Sequence, residues 1–291
     1  MTRHLLSLDR LTSDELLQLA DRAKTLSDLW AENRSPQSLT SKKVALIEDD
    51  SGWRNPSALD LGVHALGGLC TRVPVSLMGG EATEDLAAYL ANWFDLIAIR
   101  TPQIRHLQKL ADHSSIPVLN LRTRTNHPCE TLSDLSYLRE VRGSWEGLTI
   151  VAVAPVGNIL NSWIEAARVL PIKVIQVYDY DYLLEPSSLI EDQIEATDSM
   201  SAIAEADVLI TDCWPKDGNA ELLRRYQVSA ARLDEAKPGC TFIPCPPVTR
   251  GQEVKADAML HPAYQSPAAK AYLLHAQNAY LEWALGDQTA D

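Results

Sequence analysis

An α/β fold built from two doubly wound parallel-sheet domains is what this sequence predicts, and three observations carry the prediction. Short apolar runs of strand length alternate with amphipathic, helix-length segments along the chain. The cadence occurs twice, before and after a break at Gly143, with no fixed-period repeat and no low-complexity tract. At 291 residues, 46% hydrophobic and 22% charged, the chain has the size and balance of one large globular domain or two ordinary ones.

In chain order, Ser13 reads as the N-cap of a first helix. Glu15 follows it, and Leu16, Leu17, Leu19, Ala20, Ala23 and Leu26 recur at helical spacing. A polar loop with Pro36 leads to an apolar strand at 43–47. Asn55-Pro56 reads as an N-cap followed by proline at the first helical position, opening a helix that Gly67-Gly68 stops. Next come a helix at 83–93, a strand at 95–99, a helix at 104–111 and a strand at 117–120. A longer helix runs from His127 to about Val141.

The second cadence sets a strand at 149–154, a helix at 160–170 and a strand at 173–177. Residues 185–198 read as an acidic loop, followed by a helix at 199–204 and a strand at 207–211. Helical segments at 222–226 and 229–236 precede a strand at 241–243, and a helix at 268–285 closes the pattern. The predicted domains are 1–142, completed by 268–291, and 143–267. In such sheets ligands sit beyond the carboxyl ends of the strands. That rule singles out 51–57, Arg100-Thr101, Asp212-Cys213-Trp214 and 244–250.

Composition excludes several functions. Lys and Arg number 26 against 39 Asp and Glu, a net charge of −13, which argues against broad binding to nucleic acid or an anionic membrane. No run of 18 apolar residues and no signal-peptide pattern is present, so a cytoplasmic protein is expected. Cys70, Cys129, Cys213, Cys240 and Cys245 are odd in number and form no C-x-x-C pair, against a disulfide framework or zinc site. The seven histidines show no metal-ligand spacing. Gly157 stands alone after its strand, without the G-x-G-x-x-G of a dinucleotide site. No cofactor is expected.

Nine segments, in order, resemble the aspartate/ornithine carbamoyltransferase family, and its ornithine branch most of all. They include the His4-Leu5-Leu6-Ser7-Leu8 opening, Ala65-Leu66-Gly67-Gly68 and Arg100-Thr101. His127-Pro128-Cys129-Glu130-Thr131-Leu132-Ser133-Asp134-Leu135 is similar to H-P-C-Q-A-L-A-D-L. Asn158 with Asn161-Ser162-Trp163 matches a helix start, and Thr211-Asp212-Cys213-Trp214 resembles T-D-V-W. Pro244-Cys245-Pro246-Pro247 with Arg250-Gly251-Gln252-Glu253-Val254 resembles H-C-L-P and R-G-x-E-V, and Leu274-His275-Ala276-Gln277 matches the last helix.

The resemblance implies carbamoyl transfer from carbamoyl phosphate to an amino-acid amine. It implies a donor domain and an acceptor domain joined by two crossing helices, and a homotrimer with active sites at subunit borders. By this resemblance His127, Arg100 and Cys245 form the catalytic group, with His127 polarising the carbamoyl oxygen. Ser51, Arg54, Asn55, Thr101 and Glu130 address the donor, and Asn158, Asp212 and Lys216 the acceptor.

The match departs at the phosphate cradle, which the family builds from a helix N-terminus and arginines. The S-T-R-T-R motif reads Ser51-Gly52-Trp53-Arg54-Asn55-Pro56, so one arginine position holds proline. The arginine of A-E-N-R-L-H-A-Q is Leu273, and the glutamine of H-P-C-Q is Glu130. Each lost positive unit is worth roughly 3 kcal/mol at about 5 Å and an effective dielectric near 20. Asp49 and Asp50 add to the same side, and a partly dismantled cradle is expected.

On the acceptor side Lys216-Asp217-Gly218 replaces S-M-G, Ala154-Pro155 replaces G-D, and the loop at 69–80 is short. Bland readings stand beside the functional ones. The Ser-Asn-Pro stretch is a common helix start, Arg54 could pair with Asp49 or Asp50, and His127 could cap its helix. Asp212 could bond to amides of its own turn, and Cys245 could be an inert hydrophobe. Three functions remain open at this stage: carbamoyl transfer, altered chemistry on an amine or guanidine through Glu130, and a non-catalytic trimeric relative.

Overall fold

A computed structural model describes residues 2–286. The chain divides into two compact units, Met1–Gly143 with Lys270–Asp291, and Ser144–Ala269. Both are parallel-sheet α/β structures. No helix among the described residues is long and apolar enough to cross a membrane, and no cluster there could hold a metal ion.

The first unit contains α1 (Ser13–Ala31), β1 (Lys43–Glu48), α2 (Arg54–Ala65), β2 (Leu69–Arg72), α3 (Thr83–Ala91), β3 (Leu96–Arg100), α4 (Ile104–His113), β4 (Val118–Arg122) and α5 (Pro128–Arg142). Its strands lie in the order β2-β1-β3-β4, all parallel. The central strands read as continuous apolar runs because helices cover both faces, and Val44 to Ile47 and Leu96 to Ile99 are solvent-free. From β1 the chain winds first to β2 and then back to β3 on the other side. The switch point, where a ligand crevice opens, therefore lies between the carboxyl ends of β1 and β3.

The second unit contains β5 (Thr149–Val153), α6 (Asn158–Ala167), β6 (Lys173–Val177), β7 (Ile194–Thr197), β8 (Val208–Thr211), α7 (Ala220–Leu223), α8 (Ala230–Leu233) and β9 (Thr241–Pro244). The strand order β7-β6-β5-β8-β9 places its switch point between β5 and β8. The last helix, α9 (Ser266–Leu285), begins in this segment, and from Lys270 onward its residues cluster with the first unit.

Several local expectations are corrected. The N-cap of α1 is Thr12: its hydroxyl accepts from Glu15 N while Glu15 returns to Thr12 N, so the capping box sits one residue earlier than Ser13. Asn55 does not cap α2, which starts at Arg54, because its side chain is bonded elsewhere. Helix α6 begins at Asn158, two residues before expectation. The acidic loop holds a strand, β7, and the segment after Gly68 holds β2. The segment at 199–204 is a 3₁₀ helix, Met200–Glu205.

Candidate active site

At the first switch point, the loop after β1 is fixed by internal bonds. Asp49 N donates to Arg100 O at 2.8 Å, and Asp49 Oδ2 accepts from Leu77 N and Thr101 Oγ1, both at 3.2 Å. Thr101, directly after β3, is fully buried. Arg100 Nε donates to Ser51 O at 2.6 Å, and its guanidinium packs against Gly52. Gly52 has φ +128°, and a Cβ there would meet Arg100 Nη2 at 2.5 Å, so only glycine permits this approach. Burial, and next the charge of Arg122, push the Arg100 pKa below its usual value.

Arg122 ends β4 beside Arg100, to which its backbone pairs across the sheet. Its guanidinium forms an ion pair with Asp50, whose other oxygen accepts from Ser51 N at 2.8 Å. Arg54 does not pair with Asp49 or Asp50. It stacks over the exposed ring of Trp53, 5.0 Å from the centroid.

The start of α5 is set by a network on the connection from β4. Asn120 Nδ2 donates to Leu6 O at 2.9 Å and Asn126 Oδ1 at 2.8 Å, and Asn126 Nδ2 donates to Leu6 O at 2.9 Å. His127 takes the N-cap position without a side-chain capping bond, and Pro128 begins the helix. His127 is 7% exposed, and burial pushes its imidazole pKa down to about 3, so it is neutral at pH 7. Its Nε2 lies 3.8 Å from Glu130 Oε2.

Glu130 is 4% exposed and ionised. Burial pushes its carboxyl upward, but the Lys270 ammonium, with hydrogen bonds from Lys270 and Asn55, outweighs burial and holds it at about 2. Lys270 Nζ lies 3.0 Å from Glu130 Oε1 and 2.7 and 2.8 Å from the two oxygens of Asp134. Asp134 itself is pushed up to about 6 by burial, against the pull of Lys270. Asn55 Nδ2 donates to Glu130 Oε2 at 3.1 Å, and Asn55 Oδ1 accepts from Gln277 Nε2 at 3.0 Å. Lys270 and Gln277 stand seven residues apart on α9, two turns along one face.

The second switch point gathers Asn158, Asp212 and Cys245. Asn158 is the first residue of α6, after Gly157 at the N-cap, and Asp212 follows β8. Asp212 Oδ1 accepts from Cys213 N at 2.8 Å, the own-turn bond of the bland reading. Its Oδ2 lies 3.7 Å from where a Cβ on Gly157 would stand, which places the carboxylate at the N-terminus of α6. Cys245 follows β9 and is 8% exposed; its N donates to Thr211 O at 2.9 Å and its Sγ contacts Pro246 O at 3.7 Å. Lys216 is exposed in the loop beyond, four residues past Asp212.

The structure thus brings together Ser51, Asn55, Arg100, Thr101, His127 and Glu130 at one sheet end, and Asn158, Asp212 and Cys245 at the other. It does not turn Arg54 or Lys216 inward. Sequence reading missed Arg122, Lys270 and Gln277 as parts of the first cluster. Arg122 carried a usable signal, since it follows a buried strand as Arg100 does. Lys270 carried none, because a lysine early in a terminal helix reads as solvated.

Two parallel sheets, with a charged cluster at the first switch point and Asn158, Asp212 and Cys245 around the second, define an α/β protein with ligand crevices at its strand ends, and the family is narrower still. The chain belongs to the aspartate/ornithine carbamoyltransferase family. Residues 3–140 match the family's "carbamoyl-P binding domain" and residues 146–284 its "Asp/Orn binding domain". It is 32% identical to the ornithine carbamoyltransferase of Nitrobacter winogradskyi, over 98% of this chain and 97% of the relative. It is 30% identical to that of Acinetobacter baumannii, with the same coverage. The crystal structure of ornithine carbamoyltransferase from Burkholderia thailandensis superposes with a TM-score of 0.91 at 27% identity, covering 98% of this chain and 99% of that one. The enzyme from Thermus thermophilus gives 0.90, also at 27% identity and with the same coverage.

Proposed function

We propose that the protein transfers the carbamoyl group of carbamoyl phosphate to the amine of an ornithine-like amino acid. The observation that carries this reading is the convergence of Arg100 and a neutral, buried His127 beside the β1/β3 switch point. The neutral acceptor amine attacks the carbamoyl carbon, negative charge gathers on the carbonyl oxygen, the C–O bond to phosphate breaks, and the proton shed by the nitrogen leaves on the phosphate. A neutral imidazole can donate a hydrogen bond to that oxygen, and Arg100 offsets charge on the phosphate. No covalent intermediate is required, so positioning and charge supply the rate. Asn158 and Asp212 would hold the acceptor's α-carboxylate and α-ammonium, with Cys245 beside its side chain.

In the same reading the phosphate cradle is weakened. Proline and leucine stand at 56 and 273, where the family pattern has arginine, Arg54 lies on Trp53, and Asn55 is bonded to Glu130 and Gln277. Lys270 neutralises Glu130 but is held by three carboxylate oxygens. The homotrimer and the cytoplasmic location implied by the family likeness belong to this proposal, and light scattering of the purified protein tests the first.

Activity is tested by incubating the protein with carbamoyl phosphate and a panel of amino acids and measuring ureido products such as citrulline. Product is expected with ornithine or a close analogue, with a donor KM at least tenfold above that of the Nitrobacter winogradskyi enzyme measured alongside. No product with any amine would overturn the assignment of carbamoyl transfer. A donor KM equal to the relative's would overturn the weakened cradle alone.

A further inference from the structure

We propose that Arg122 binds the phosphate of the donor, and that Asp50 is the internal counter-ion this phosphate displaces. The inference rests on the reading above but concerns residues outside the family pattern. The arginines implied by the resemblance come from S-T-R-T-R, from R-T and from the last helix, and Arg122 belongs to none of them. It nonetheless ends β4 directly beside Arg100, so two guanidiniums flank one loop at the carboxyl ends of adjacent strands.

The partner of Arg122 occupies the place an anionic ligand would take. Asp50 accepts from the Arg122 guanidinium with one oxygen and from Ser51 N with the other. A cation and a backbone amide are the donors a phosphate oxygen seeks. The side chains of Arg122 and Asp50 are 24% and 17% exposed, so a small anion can reach both. Asp49 is the contrasting case, anchored by Leu77 N and Thr101 Oγ1, and it stays.

Two charge arguments favour exchange. A phosphate dianion draws more strongly on Arg100 and Arg122 together than a single carboxylate does. The released carboxylate sits on a loop whose next three residues, Ser51 to Trp53, are exposed, so it can return to water without burying a charge. Lys270 cannot serve in this way, because releasing it would strand Glu130 and Asp134 in the interior. Arg122 is therefore the cation that makes up part of what Pro56 and Leu273 have lost.

The test combines calorimetric titration with inorganic phosphate and donor kinetics for Arg122→Gln, Asp50→Asn and the double variant. Arg122→Gln should weaken phosphate binding about tenfold or more and raise the donor KM to match, while the acceptor KM stays within about twofold. Asp50→Asn should tighten phosphate binding, since its competitor is gone, and the double variant should bind no better than Arg122→Gln. If Arg122→Gln does not fold, Arg122→Lys replaces it; keeping the charge but losing the two-pronged fork, it should weaken phosphate binding by a smaller factor.

Unchanged phosphate affinity in either arginine variant overturns the proposal. So does an Asp50→Asn gain that survives in the double variant, or no phosphate binding to wild type and Asp50→Asn alike. The titration does not need turnover. Absent ureido product with the expected phosphate pattern therefore sinks carbamoyl transfer and spares the role of Arg122, whereas product formation with an unmoved donor KM does the reverse.

Discussion

Lys270 holds two carboxylates that burial would otherwise make costly, and removing it leaves both stranded. Lys270→Met is expected to destabilise the protein by about 3–5 kcal/mol, measured by urea unfolding at pH 7. Glu130→Gln should cost less, because an amide oxygen still accepts from Asn55 and Asp134 still pairs with Lys270; an equal loss would contradict this. The same cluster fixes a pH dependence. His127 is pushed from 6.5 to about 3, so in that window the unfolded chain takes up a proton that the folded one refuses. Stability held by neutral His127 is thus present above pH 6.5 and lost as pH falls. Asp134, raised from 3.8 to about 6, runs the other way: its contribution is full below 3.8 and lost as pH rises through 6. Between pH 7 and 4.5, wild type should lose stability relative to His127→Gln and gain it relative to Asp134→Asn; either difference with the opposite sign would refute the assignment. The sequence showed Glu130 only as a lost amide, since the ammonium that neutralises it lies 140 residues further on. Long-range pairing of that kind leaves no local pattern, so a charge count taken from the motifs alone omits Lys270 and Arg122.

Secondary-structure elements were legible wherever one periodicity ruled. β1, β3, β5 and β8 are buried on both faces and read as unbroken apolar runs. β2 and β7 are edge strands with mostly exposed or half-buried residues, so no such run announces them. Helix α5 is buried around most of its circumference, with Ser136 Oγ donating to Leu132 O of its own backbone and Asp134 paired with Lys270 on α9. Caps are short-range signals, yet Thr12 and Ser13 are both good N-caps, and only the Glu15 geometry decides between them. Thr12→Ala should therefore cost about 1 kcal/mol and Ser13→Ala much less, by thermal unfolding. Gly62 gives a prediction with reversed sign. A buried mid-helix glycine normally gains about 0.5–1 kcal/mol from replacement by alanine. Here a Cβ would stand 2.2 Å from Asn278 Oδ1, where α2 meets α9, so Gly62→Ala should destabilise by about 1–3 kcal/mol. Restoring room with Asn278→Gly should recover part of the loss.

Across the whole molecule, the division of the chain has a consequence for what each segment can do alone. The Ser144–Ala269 unit is continuous and has its own five-stranded sheet. Its own core includes Val151, Ile175, Tyr178, Leu209, Tyr226 and Phe242. The other unit is discontinuous. Its four-stranded sheet has a core around Ile47, Ile97 and Leu107, but α9 supplies the partners of Glu130, Asp134 and Asn55 from beyond residue 269. Buried Ala276, Tyr280 and Leu281 come from the same helix, and Tyr280 Oη donates to Arg3 O at 2.8 Å. A fragment of residues 144–269 is therefore expected to fold alone, with a single cooperative urea transition followed by circular dichroism. A fragment of residues 1–143 should show none, because two interior carboxylates lose their cation and a helix-wide apolar surface meets water. Adding a peptide of residues 266–286 should restore a transition in the second fragment, and Lys270→Met in that peptide should abolish the rescue. Cooperative folding of 1–143 without the peptide would show that the buried ion cluster is not what ties the C-terminal helix to its unit.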